Sequence, residues 1–131
     1  MISTRGRYAL RVIIDLARNR NDGFIPMKTV AERQGISLKY LEQILPVLTK
    51  NNLVETAHGK GGGYKLSRSP EEYTAGEILR LTEGSLAPVA CLSENAPVCE
   101  NETNCSTIKF WKGLNDVINE YIDSFTLADM L

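Results

Sequence analysis

The feature that most restricts the fold of this chain is a glycine set between two short apolar-periodic stretches, in VAERQGISLKYLEQI over residues 30–44. Gly35 stands where a turn needs a left-handed residue, Ala31 is small enough for a second helix to cross the first, and Ser37 can cap that second helix. Val30, Ile36, Leu41 and Ile44 fall at spacings that bury them between the two helices, leaving Lys39, Tyr40, Glu42 and Gln43 to point elsewhere. Downstream, LVETA and YKL read as strands joined by HGKGGG, a loop that can take positive φ angles and approach a phosphate closely. Helix, glycine turn, helix and glycine-rich hairpin in this order predict a winged helix-turn-helix over Met27 to Leu66. The alternative is a helical hairpin beside an ordinary β-hairpin. In a winged helix the outward set faces the major groove of duplex DNA.

A net charge of −1 at first argues against such a partner, because phosphate neutralisation carries much of the affinity of DNA binders. The distribution removes the objection. Twelve lysines and arginines stand against five acidic residues up to Arg68, and three against eleven after it. A basic half joined to an acidic half fits a DNA-reading end, residues 1–68, held apart from a dimerising and sensing end, residues 69–131. A merely dipolar domain is the alternative. At 131 residues the chain is short for two self-sufficient domains, and dimerisation would supply further burial. No run of about 18 apolar residues and no long apolar leader occurs, so the expectation is a cytoplasmic protein with no membrane partner.

The expected class is mainly α with a small β-hairpin wing and a long C-terminal dimerisation helix. Residues Ile2 to Arg20 predict a first helix, with Ser3 and Thr4 as candidate caps. Its two apolar stripes, Leu10, Ile13, Ile14 and Ala17 against Ala9, Val12 and Leu16, imply burial on both sides. Arg5, Arg7 and Arg11, with Lys28 further on, are candidate phosphate contacts or simply solvated charges. Asn19 to Pro26 is a turn-rich connector. Pro46 removes one hydrogen bond of the recognition helix, so a kink and the end of the groove-facing part are expected near it. A capping box from Thr74 to Glu77 opens another helix, which Gly84 ends, and a second box runs from Thr126 to Asp129. Between them Ile108, Trp111, Leu114, Ile118, Tyr121 and Phe125 alternate three and four apart, a coiled-coil-like seam that favours a homodimer over packing within one subunit.

Cys91, Cys99 and Cys105 all lie in the loop SLAPVACLSENAPVCENETNCS. An odd number in a reducing compartment does not suggest a disulfide framework. Three anionic sulfurs on one flexible loop suit a soft metal or an iron-sulfur cluster, either 2Fe-2S or 4Fe-4S. Zinc is disfavoured by the lack of a close Cys-x-x-Cys pair and of a nearby histidine. The alternatives are a metal-free regulator controlled by thiol oxidation or by a protein partner and, more distantly, a thiol enzyme. The enzyme needs a base beside its thiol, and the one histidine, His58, lies far along the chain.

STRGRYALR, YLEQIL, LVETAHGKGGGYKL, TAGEILRLTEG and SFTLADML, in this order over nearly the whole chain, resemble the Rrf2 family of bacterial transcriptional regulators. Members include an iron-sulfur cluster regulator, a nitric-oxide-sensitive repressor and a cysteine-metabolism repressor. The resemblance implies a winged-helix homodimer, a repressor, that grips an imperfect inverted repeat. It also implies DNA reading by Lys39, Tyr40, Glu42 and Gln43 and by His58, Gly59 and Lys60 of the wing. His58 stands where the iron-sulfur regulator has an arginine that enters the minor groove, so a weaker or pH-sensitive contact is expected there. The cysteines match the place where cluster-binding relatives carry theirs, although the first spacing is seven residues rather than five. Neither fourth ligand of the relatives carries over: the histidine position is Ile108 and the carboxylate position on the first helix is Arg7. Glu100, Glu102, Asn104, Asp15 from a partner, or an exchangeable small thiol remain as candidates. Glu94, Glu100 and Glu102 would add negative charge beside the sulfurs.

Overall fold

A computed structural model describes residues 1–131, with the exception of the Glu102 side chain. Five helices and one hairpin follow in order: α1 (Thr4–Arg18), α2 (Met27–Gln34), α3 (Leu38–Lys50), β1 (Val54–Ala57), β2 (Gly63–Leu66), α4 (Ala75–Glu83) and α5 (Ile108–Ser124). The mainly helical class with a two-stranded wing is therefore as expected.

Helix α1 begins at Ser3, whose hydroxyl accepts from the Gly6 amide at 3.3 Å. Ala9, Val12, Ile13, Leu16 and Ala17 are buried, while Leu10 and Ile14 are half-buried. Its most extensive neighbour is α4, which approaches so closely at Gly6 that a side chain there would strike the Glu83 carboxylate. That carboxylate accepts from the Ser3 amide at 3.0 Å and from the Ser3 hydroxyl at 2.6 Å, tying the start of α1 to the end of α4.

The helix-turn-helix forms as its sequence dictates. Gly35 takes φ 63° and ψ 34°, a conformation that only glycine holds without strain. The Ser37 hydroxyl then accepts from the Tyr40 amide at 3.1 Å and starts α3. Val30, Ile36, Leu41 and Ile44 are all buried. Pro46 does not end α3, which runs on to Lys50: the proline faces solvent, and the buried Leu45 and Leu48 on either side of it hold the last turn down.

In the wing Val54 pairs with Leu66 and Ala57 with Gly63, antiparallel. Ile25, in the connector before α2, adds a short third edge, exchanging two 2.8 Å hydrogen bonds with Tyr64. A side chain on Gly63 would collide with the Ile25 carbonyl, so glycine is needed at that crossing.

Residues beyond the wing enter the same core. Tyr73 is fully buried; its hydroxyl donates to the Leu53 carbonyl at 2.5 Å and accepts from the Ser67 and Arg68 amides at 3.0 and 3.1 Å. Burial pushes this hydroxyl above its ordinary pKa. The segment after α5 returns to the core: Ala75 donates to the Phe125 carbonyl at 2.8 Å, Leu127 to the Tyr73 carbonyl at 2.9 Å, and the Leu127 side chain is fully buried. The capping box of Thr126 and Asp129 is complete. That of Thr74 and Glu77 is half made. The Thr74 hydroxyl accepts from the Glu77 amide, but the Glu77 carboxylate is taken by Arg68 at 2.7 Å.

Helix α5 is tied to α4 by Arg80, which donates to Asp123 at 2.6 and 2.9 Å and to Asn119 at 2.9 Å. No residue of α5 is buried. The expected seam divides. Ile108, Trp111, Leu114, Ile118 and Phe125 are half-buried against their own subunit, whereas the open stripe is Phe110, Val117 and Tyr121, each more than 60% exposed. No helix is long and apolar enough to cross a membrane among the described residues.

Candidate nucleic-acid interface and cysteine hollow

Lys39, Glu42 and Gln43 project from α3 into solvent, and Lys28 does so from the first turn of α2. Tyr40 differs from the outward orientation expected of it. It is half-buried, with its ring edge-on to Tyr8 of α1 at a centroid distance of 5.3 Å. Arg11 lies 5.2 Å from the Tyr8 ring centroid and also bonds Gln34 through the side chain and the backbone carbonyl. Arg11, Tyr8 and Tyr40 thus form a brace from α1 to the recognition helix. Arg5 and Arg7 are exposed near the start of α1, with Arg7 donating to the Thr4 hydroxyl at 3.2 Å.

A second brace escaped the sequence reading. Asp15 is buried in α1 and accepts from Arg33 Nε at 3.1 Å, Arg33 Nη2 at 2.7 Å and Gln34 Nε2 at 3.0 Å, all from the last turn of α2. A buried carboxylate must be paired, and an acidic residue on an apolar helix face was the available signal. With both oxygens engaged, Asp15 is not free to serve a partner subunit as a metal ligand. In the wing, His58, Gly59 and Lys60 are exposed at the tip, where Gly59 and Gly61 have φ near 80°.

Cys91, Cys99 and Cys105 line a single hollow of about 210 Å³, together with Leu92, Val98 and Ile108 among others. All three are free thiols. The Thr107 hydroxyl, 3.6 Å from Cys105 Sγ, leads the hydrogen bonds that hold the Cys105 thiol below its ordinary pKa, helped by the Thr107 and Ile108 amides. Among the described residues no three His, Cys, Asp or Glu side chains converge to hold one metal ion. Ile108 walls the hollow with a side chain that cannot ligate, and Glu100 and Asn104 are exposed. The Glu102 side chain lies outside the described residues. Glu94 lines a different hollow beside Arg80, and raises the Arg80 pKa along with the stronger effect of Asp123.

The model of the Rrf2 family, described as an iron-dependent transcriptional regulator, matches residues 2–131. A curated relative, the HTH-type transcriptional regulator IscR of Aliivibrio salmonicida, is 33% identical over 130 residues, covering 99% of this chain and 76% of its own. Among solved structures, CymR, the global cysteine regulator of B. subtilis, is 36% identical with a TM-score of 0.83, covering 99% of this chain and 95% of its own. IscR of T. potens is 37% identical with a TM-score of 0.76 over 99% of this chain and 85% of its own. These relatives are transcriptional regulators and not enzymes. The chain belongs to the Rrf2 family of transcriptional regulators, DNA-binding proteins that carry a winged helix-turn-helix.

Proposed function

We propose that this regulator acts as a homodimeric repressor whose grip on an imperfect inverted repeat responds to an iron-sulfur cluster held by Cys91, Cys99 and Cys105. The observation that carries the reading is the hollow that all three thiols line. Donors spread round a wall suit a multi-iron cluster, in which each iron takes its own thiolates, better than one tetrahedral ion. The Cys105 thiol, held below its ordinary pKa, would ionise readily on loading, and Leu92 and Ile108 give the hollow apolar walls. With no fourth protein ligand assigned, one position is left to an exchangeable group, as a cytoplasmic sensor of oxygen, iron or nitric oxide requires. When bound, the cluster supplies electron transfer and ligand exchange.

On the DNA side, Lys39, Glu42 and Gln43 enter the major groove, with Tyr40 bracing α3 on Tyr8 behind them, while His58, Gly59 and Lys60 approach the minor groove. Arg5, Arg7 and Lys28 contact phosphates. Residues 1–68 read DNA and residues 69–131 dimerise and sense, with the exposed stripe of α5 facing the partner subunit. Cys91, Cys99 and Cys105 would hold the cluster, and a cysteine loop so fixed against α5 would alter the separation of the two recognition helices. Iron and sulfide content and the visible spectrum of anaerobically purified protein, beside Cys99→Ala, test the first claim. Stoichiometric iron and sulfide with a cysteine-dependent spectrum is expected. Equal operator affinity of loaded and unloaded protein at one salt concentration would refute the regulatory claim.

The lowered pKa of Cys105 also favours a second reading, a metal-free regulator switched by thiol oxidation. A colourless protein that stays metal-free after anaerobic reconstitution, yet loses DNA affinity on mild oxidation, would select it.

A further inference from the structure

Helix α3 contains five leucine and isoleucine side chains. Leu41, Ile44, Leu45 and Leu48 are at most 1% exposed, but Leu38, the first residue after the Ser37 cap, is 43% exposed. Its neighbours on the surface are the reading residues. Leu38 and Glu42 stand one turn apart on one column of the helix, Lys39 and Gln43 on the adjoining column. Helical side chains lean toward the N-terminus, so Leu38 forms the leading edge of the face that enters the groove. The helix cannot withdraw it, because the same rotation would expose the buried Leu41 and Ile44. Tyr40, the other residue of this first turn with a large apolar surface, is drawn back onto Tyr8. An apolar side chain at the leading edge of a recognition helix has one chemical match in the major groove, the 5-methyl group of thymine.

We infer that Leu38 is a specificity-determining residue that packs on a thymine methyl in each half-site. The inference rests on α3 being the recognition helix, and it adds a reading position that the polar set does not include. Uracil in place of thymine deletes the methyl and leaves every hydrogen-bonding group of the base pair unchanged.

The test selects duplexes from a random pool with the unaltered protein. Each thymine of the selected duplex is then replaced by uracil, singly, and binding is measured at one salt concentration. At one thymine per half-site the replacement should weaken binding about fourfold, the worth of one buried methyl. Leu38→Ala should bind thymine and uracil duplexes equally at that position, while Leu38→Met, which keeps an apolar side chain of similar reach, should keep most of the difference. Uniform loss by Leu38→Ala on both duplexes, or insensitivity of the unaltered protein to every replacement, would overturn the inference and leave the helix assignment intact. Recovery of no duplex at all would remove both.

Discussion

The two ends of this molecule are stabilised in opposite ways. In the winged helix the large apolar side chains of α1, α2 and α3 other than Leu38 are buried or half-buried, the turn is fixed by Gly35, and Asp15 bolts α1 to α2. In α5, as long as any helix in the fold, no residue is buried and Phe110, Val117 and Tyr121 face outward. One region is complete within a single chain, and the other holds on through Arg80 and through the segment that follows it. The contrast teaches that the winged helix draws its rigidity from packing within its own chain, while the C-terminal helix leaves an apolar stripe open, the surface proposed to face a partner subunit.

The largest blow to the self-contained end should come from Leu127→Ala, which empties a fully buried site and is expected to cost about 3 kcal/mol, read from the urea midpoint. Asp15→Ala should follow closely at about 2–3 kcal/mol; Arg33, already 36% exposed, can rehydrate, which keeps the loss at the low end for a broken buried pair. Tyr73→Phe removes the hydroxyl shared by the Leu53 carbonyl and the Ser67 and Arg68 amides, of which Ser67 and Leu53 keep a 3.2 Å bond to each other, at a cost of about 1–2 kcal/mol.

Substitutions in α5 should reverse this pattern. Phe110→Ala with Val117→Ala should move the unfolding of a single subunit by less than about 0.5 kcal/mol, since both side chains already meet water. The same pair should shift sedimentation toward the monomer. A dimer that survives it unchanged would break the comparison.

A pH-dependent effect of similarly small size concerns Arg80 and Asp123. Hydrogen bonding from Arg80 holds the Asp123 carboxyl below the usual carboxylate range, so the pair stabilises the fold above the unfolded pKa and its contribution disappears as pH falls through the lower folded value. Both partners are substantially solvent-exposed, which limits the contribution to under about 1 kcal/mol. Arg80→Ala should flatten the acid limb of the stability curve below about pH 4 by that amount.

What could be read from the chain was local. Gly35, Ser37, the wing glycines and the Thr126 to Asp129 box act on backbone a few residues away, so their chemistry is visible in a short window. Partners far apart were not. Nothing near Asp15 announces Arg33, and nothing near Tyr73 announces Leu53. The expected seam of α5 divides in the fold for a related reason. Apolar residues lie on two sides of that helix, and periodicity alone cannot tell the side leaning on its own subunit from the side left open. The cysteines stood out by type, whereas their sharing of one hollow is a product of how the loop folds against Ile108. Tyr40 looked outward by spacing, and only the position of Tyr8 turns it back.

The place of Leu127 in the core has a consequence for how the protein is made. Helices α1 to α4 emerge from the ribosome long before the residue that plugs the space between them, and the hydrogen bond from Leu127 to Tyr73 spans 54 positions of chain. During synthesis of the cysteine loop and α5 the winged helix therefore exists with one side of its core unsealed, and it tightens only when the segment after α5 arrives. A regulator built this way has its core sealed late: without the segment that follows α5, the recognition helix stands on a loosened frame.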